Sequence, residues 1–171
     1  MADILSLLLF LLPIYIANSI PVLLGGGARL DLGLDFFDKR PLFGEGKTVR
    51  GFVAGVAGGI VAAGVLAALY PLPWFPVPGT QFWAGALMAL GTMCGDAAGS
   101  FLKRRLGMES GKPFLPDTVL FLAFALLFAF PLVAPSLYSV PNLLFLFVLT
   151  IILHPATNFI ANRAGLKKVP W

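Results

Sequence analysis

Apolar residues run through this chain in long stretches, and the charges that interrupt them fall in a few places. No Asp, Glu, Lys or Arg occurs between Asp3 and Arg29, between Arg50 and Asp96, or between Asp117 and Arg163, which leaves charge-free gaps of 25, 45 and 45 residues. A bilayer core about 30 Å thick takes roughly 20 apolar residues of α-helix. The gaps therefore hold one span, then two, then two. Uncharged Pro-rich turns divide the pairs, from Pro71 to Gly79 and from Pro135 to Pro141. The pattern predicts an all-α integral membrane protein, one membrane domain over 1–171 with five transmembrane helices. The predicted spans are approximately 4–24, 51–70, 81–102, 118–134 and 141–161, with polar loops at 25–50 and 103–117.

Charge orients these spans. The twelve Lys and Arg residues form three clusters, five between Arg29 and Arg50, four between Lys103 and Lys112, and three between Arg163 and Lys168. Basic loops stay in the cytoplasm. With five crossings all three clusters fall on one side, so the N-terminus is expected outside and the C-terminus in the cytoplasm. The expected location is the cell membrane, multi-pass.

Composition agrees. A hydrophobic share of 58% and a mean hydropathy of +0.91 exclude an ordinary soluble domain. The net charge of +4 is gathered on one side, where it meets anionic membrane lipids or anionic substrates. Nucleic acid is not an expected partner. The lone Cys94 excludes an intrachain disulfide and reads as a packing residue. Residues 4–24 lack a basic leader and read as a span, not a signal peptide. Small residues recur at every fourth position in two spans, as Gly51, Gly55, Gly59, Ala63 and Ala67, and as Gly91, Gly95 and Gly99. Such faces let helix backbones approach in lipid.

Asp96 is the one charge inside a span. An ionised carboxylate at depth costs at least about 2.5 kcal/mol unless a cavity, partner or metal receives it. Asp96, Ser100, Lys103 and Arg104 share a helix face by their spacing. An acid among cations suits a divalent metal bridging to phosphate oxygens; an Asp–Arg pair at the interface is the plainer reading. Gly46-Lys47-Thr48 resembles the end of a Walker A loop, but Pro41 stands where that motif needs its first Gly. The chemistry still suits phosphate, since Thr48 can cap the next helix, its first N–H groups face an anion, and Lys47 and Arg50 add charge. Asp117 opens the fourth span, either as a plain N-cap or as a second metal carboxylate beside Asp96. Asn18 and Pro21 lie near the end of the first span, where Asn18 can bond between helices or read a polar ligand and Pro21 bends the helix. His154, Asn158 and Asn162 make a polar stripe, with His154 expected to be packed or hydrogen-bonded rather than a metal ligand.

Asn18-x-x-Pro21, then Lys39-Arg-Pro-Leu-Phe-Gly-Glu-Gly-Lys-Thr-Val-Arg-Gly51, then Gly95-Asp-x-x-Gly-Ser-x-x-Lys-Arg-Arg105, then Asp117 and a closing Gly-Leu-Lys-Lys-Val-Pro-Trp171, together resemble the CDP-archaeol synthases. The resemblance covers essentially the whole chain. The related CDP-diacylglycerol synthases share Ser100-x-x-Lys103-Arg104 but have a downstream acidic signature that is absent here. The resemblance implies transfer of the cytidylyl group of CTP to an unsaturated isoprenoid ether lipid phosphate, giving CDP-archaeol and pyrophosphate, with Mg²⁺ as cofactor. It implies that Asp96 and Asp117 hold the metal. Lys47, Arg50, Lys103 and Arg104 would bind phosphates, Gly46, Thr48, Gly95 and Ser100 would give backbone and hydroxyl contacts, and Asn18 beside Pro21 would read base or ribose. The site is expected on the cytoplasmic side.

A small anion or lipid transporter is the competing reading, suggested by the intramembrane Asp and the Gly-rich helices. Against it, the polar residues crowd one end of the spans. Substitution separates motif from background: Asp96→Asn is expected to abolish lipid-dependent pyrophosphate release from CTP, while Arg29→Ala, outside every motif, leaves it near wild type. A large loss in Arg29→Ala would put the site elsewhere.

Overall fold

Apolar stretches become helices here because a helix satisfies its backbone N–H and C=O groups within a single segment, without water or a partner strand. The computed structural model describes residues 3–109, 112 and 114–167; Gly111, Pro113 and the closing 168–171 lie outside the described residues. In chain order the helices are α1 (Ile4–Phe10), α2 (Leu12–Leu24), α3 (Val49–Leu69), α4 (Pro78–Arg105), α5 (Leu115–Ala129) and α6 (Val140–Arg163). Two 3₁₀ turns, Phe130–Leu132 and Pro135–Tyr138, join α5 to α6. No strand occurs among the described residues beyond two isolated bridges, Arg29 with Thr48 and Asp35 with Pro41.

The first predicted span is divided. Leu11 closes α1 and its N–H bonds the Leu8 carbonyl at 3.2 Å; Pro13, in the first turn of α2, has no N–H to continue the ladder. Four stretches are long and apolar enough to cross a membrane: Ile4–Leu24, Val49–Leu69, Leu115–Leu132 and Val140–Arg163. α4 is not among them. It has 28 residues, but its last third carries Asp96 and the run Lys103, Arg104 and Arg105. Much of the outer surface is apolar, with Leu69, Val140, Leu144, Ile152 and Ile160 among its exposed side chains, as hydrocarbon surroundings require.

α4 is the central helix, packed against α5, α3 and α2, while α6 lies mainly along α5. Glycine sets these distances. A Cβ at Gly91 would stand 2.5 Å from the Phe124 carbonyl oxygen, and one at Gly95 2.5 Å from that of Leu120. On α3, a Cβ at Gly55 would stand 2.7 Å from the Ala17 carbonyl oxygen of α2. At the end holding the uncharged turns, Leu7, Phe10, Leu72, Trp74, Phe121, Leu137 and Leu146 form a closed core. Buried Gln81 ties the 71–77 turn, accepting from Leu72 N–H at 2.8 Å and donating to the Tyr70 carbonyl at 3.0 Å.

Loop 25–50 folds around the buried carboxylate of Asp31. It accepts from the N–H groups of Gly33 (3.0 Å), Phe43 (3.0 Å) and Gly44 (2.9 Å). Burial pushes that carboxyl upward, but the three N–H bonds and Arg29 outweigh it and hold it below its ordinary value of 3.8.

Two outcomes test this packing. Gly95→Leu forces a side chain into the α5 backbone, and overpacking costs about 1–3 kcal/mol or more; its melting temperature in detergent should fall by several degrees, whereas Gly79→Ala, with open space around the added methyl, should not move it. Because folding lowers the Asp31 value, the loop gains stability from that carboxylate above pH ~4 and loses it as pH falls through the lowered value. Protease sensitivity of the loop should rise at such acid pH in the wild type, and Asp31→Asn should show the open behaviour already at neutral pH.

Candidate active site

Thr48 joins the two ends of loop 25–50. As N-cap of α3 its hydroxyl accepts from Gly51 N–H at 3.1 Å, and it also accepts from Gly26 N–H at 3.2 Å. Beside it the Arg29–Thr48 bridge is flanked by Leu30 N–H to the Lys47 carbonyl at 2.8 Å and Val49 N–H to the Ala28 carbonyl at 3.0 Å. Lys47 is therefore held by backbone pairing at the mouth of the bundle, where its Nζ donates to Asp96 Oδ2 at 2.6 Å. Two turns further along α4, Lys103 forms an ion pair with Asp117 at the start of α5.

Asp117 fits there because Gly99 has no side chain: a Cβ at Gly99 would stand 2.7 Å from Asp117 Oδ1. That Oδ1 is buried and has no hydrogen-bond partner among the described residues. A buried acceptor left unsatisfied costs about 1–3 kcal/mol, so the site presents one oxygen that calls for a ligand. No group of three or more His, Cys, Asp or Glu is gathered among the described residues. Two carboxylates still fit Mg²⁺, which binds through one or two carboxylates together with waters and substrate phosphates.

A cavity of about 580 Å³ covers both ion pairs. It is lined by Asn18 and Pro21 of α2, Gly46 and Lys47 of the loop, Asp96 and Lys103 of α4, and Asp117 of α5. A second cavity of about 310 Å³ adjoins it across Lys47 and Asp96, with Thr48, Gly25, Gly26 and Gly51 in its wall. Seven of the residues singled out from the sequence thus meet at the larger cavity, and Thr48 at the smaller.

The other four stand apart. Arg50 is exposed and lines neither cavity. Ser100 and Arg104 also lie outside both linings. Gly95 is a packing position against α5 and touches neither cavity. The shared face predicted for Asp96, Ser100, Lys103 and Arg104 is divided because α4 turns only its Asp96–Lys103 edge toward the cavity.

Residues not assigned to the site from sequence also line it: Lys112, Thr118, His154, Asn158 and Lys167. The i, i+4 polar stripe of α6 was the available signal for His154 and Asn158, but spacing alone could not say which neighbour it faced. His154 is bonded to Asn18 across α2 and α6, with Asn18 Nδ2 and His154 Nδ1 separated by 3.4 Å.

Arg40 and Arg105 fasten the loop onto α4. Arg40 donates to the terminal carbonyls of Arg104 (3.2 Å) and Arg105 (2.8 Å), a cation placed at the negative end of a helix. In return Arg105 donates to the carbonyls of Arg40 (3.1 Å) and Pro41 (2.6 Å), pairs with Asp38, and lies 4.9 Å from the Phe36 and Phe101 ring centres.

Known proteins resemble this chain along its full length. Residues 1–171 match the family described as CarS-like: CDP-archaeol synthase. The CDP-archaeol synthase of Archaeoglobus fulgidus is 42% identical, with 98% of each chain covered. That of Pyrococcus furiosus is 39% identical, with 100% of each covered. A solved structure described as an intramembrane enzyme for archaeal membrane lipid biosynthesis superposes with a TM-score of 0.77 at 37% identity, covering 91% of this chain and 94% of that one. The apolar helices and this likeness make the chain a multi-pass membrane protein. Similarity at this level, sustained from one end to the other, shows that the chain belongs to the CDP-archaeol synthase family.

Proposed function

We propose that this protein forms CDP-archaeol, transferring the cytidylyl group of CTP to the phosphate of a geranylgeranylated glycerol ether lipid and releasing pyrophosphate. The observation that carries the site assignment is the pair of lysine–carboxylate contacts, Lys47 with Asp96 and Lys103 with Asp117, on one cavity beside an unpartnered carboxylate oxygen.

An oxygen of the lipid phosphate attacks the α-phosphorus of CTP. A new P–O–P bond forms, the bond from the α-phosphorus to the bridging oxygen breaks, and pyrophosphate leaves with that electron pair. The attacking oxygen is already anionic near neutral pH, so no protein base need take a proton. The barrier lies in bringing two anions together and in the charge on the leaving group, and positioned cations lower it. Lys47 and Lys103 exchange their carboxylate contacts for phosphate oxygens as substrate enters. Asp96 and Asp117 would hold a divalent ion, Mg²⁺ by the nature of the oxygen donors, and such an ion supplies charge neutralisation on the phosphates. Gly46 and Thr48 lend backbone and hydroxyl contacts at the loop, Asn18 and Pro21 shape the wall toward the base or ribose, and Arg50 and Arg104 contribute a field that draws anions inward from outside the lining. Gly95 and Ser100 act by packing α4 so that Asp96 and Lys103 reach the cavity.

Five crossings belong to this reading. At 1.5 Å per residue, the 28 residues of α4 extend about 42 Å, enough to span with its charged third at the interface. The basic loops then face the cytoplasm, the source of CTP, with the N-terminus outside. A transporter is not supported, because the polar lining ends against the closed apolar core that includes Phe10, Phe121 and Leu146.

Purified protein in detergent should release pyrophosphate only when CTP, Mg²⁺ and geranylgeranylated glycerol phosphate are all present, and ATP should not replace CTP. Asp117→Asn should lower turnover about 100-fold or more, with the loss in kcat and Mg²⁺ dependence weakened. Release that needs no lipid phosphate, or an Asp117→Asn enzyme of wild-type rate, would overturn the respective part of the assignment.

A further inference from the structure

Residues 164–167, just beyond α6, fold back on the helix end. Gly165 takes a left-handed φ of +73°, and the N–H groups of Ala164, Gly165 and Leu166 bond back to Ile160 (2.9 Å), Asn162 (3.0 Å) and Ala161 (2.9 Å). This is a glycine-terminated helix end that reverses the chain. Asn162 Nδ2 then donates to the Lys167 carbonyl at 2.9 Å, and Lys167 Nζ turns inward to donate to Asn158 Oδ1 at 2.9 Å. The reversal sets Lys167 in the wall of the larger cavity, together with Lys47 and Lys103.

The bonds behind Lys167 run in one direction. An ammonium has only donors, so Asn158 must offer it Oδ1 and turn its NH₂ to His154 Nε2, 3.0 Å away. Nε2 is then the acceptor of the ring, and the proton of a neutral His154 sits on Nδ1. That Nδ1–H faces the carboxamide of Asn18 at 3.4 Å, which meets it through its oxygen once the amide is turned. A file of side chains from α2 through α6 thereby fixes where the ammonium points.

The surroundings say which substrate it meets. The wall that Lys167 shares with these polar groups also takes in the apolar Val22, Phe114, Leu115, Pro155 and Leu166. α2 and α6, which bound this side, otherwise pack little against each other. The smaller, glycine-walled cavity includes no residue of α5, α6 or the C-terminal segment. A phosphate with apolar chains can enter the larger cavity through the weakly packed side between α2 and α6. In the smaller one Gly25, Gly26 and Gly51 let a nucleotide approach close backbone, and its wall also holds Leu30, Phe52 and Met93.

We propose that Lys167 binds the phosphate of the lipid acceptor, and that Asn158 and His154 are positioning residues that aim it. This rests on the cytidylyltransferase reading above. Steady-state pyrophosphate release in mixed micelles tests it, with geranylgeranylated glycerol phosphate varied at saturating CTP and then the reverse. Lys167→Met should raise KM for the lipid phosphate about tenfold or more while KM for CTP stays within about twofold, and Lys167→Arg should recover most of the loss. Asn158→Ala should show the same one-sided rise, smaller, and it decides the matter if Lys167→Met fails to fold. An unchanged lipid KM in both variants, or an equal rise in both KM values, would overturn the proposal while leaving wild-type activity intact. A wild type that releases no pyrophosphate would instead defeat the underlying reading.

Discussion

The contact of α4 with α5 is the constraint from which the site follows. Gly91, Gly95 and Gly99 place bare backbone against α5, and at the last of these the space is filled by the Asp117 carboxylate. Lipid supplies no hydrophobic force to press helices together, so dispersion between closely approaching backbones must do it. The same closeness brings Asp117 to Lys103. A side chain at any of the three glycines would push α5 outward and take the carboxylate with it.

Charge at this end of the bundle is held in a balanced resting state. Lys47 and Lys103 are each held by a carboxylate, on side chains that are largely removed from solvent. Removing one partner from such a pair strands a desolvated charge, a loss of about 3–5 kcal/mol. Exchanging the partner is different: an incoming phosphate gives the lysine a new anion while the freed carboxylate can face a cation. The arrangement keeps the cavity assembled without substrate and leaves its charges available for one.

The loop that delivers Lys47 is itself anchored at three points. Asp31 gathers its interior, Thr48 ties its ends, and Arg40 with Arg105 binds it to the end of α4. Asp31 and the two arginines use charge-assisted hydrogen bonds and Thr48 neutral ones, in place of a hydrophobic core, which a segment of this length and polarity cannot form. Lys47 is thus positioned by backbone pairing at its own residue, and Asp96 receives it from a rigid helix.

Much of this was legible in the residue order. The charge-free gaps marked the helices, since burying an uncompensated charge in hydrocarbon is prohibitive, and the motifs around Lys47, Asp96, Lys103 and Asp117 marked the chemistry. Local pattern does not register the break at Leu11, where Pro13 interrupts an otherwise uniform apolar stretch, or the role of Gln81, whose partners belong to a turn. It also put Ser100 and Arg104 on one face with Asp96 and Lys103, because periodicity defines a face of a helix but not what lies opposite it. The sequence alone determined which segments leave water, for that depends on each segment's own transfer free energy. Tertiary structure decided which lysine meets which aspartate, that Gly99 makes room for Asp117, and that Lys167 returns to the cavity from the far end of the chain, because those pairings depend on distances between helices that no single segment contains.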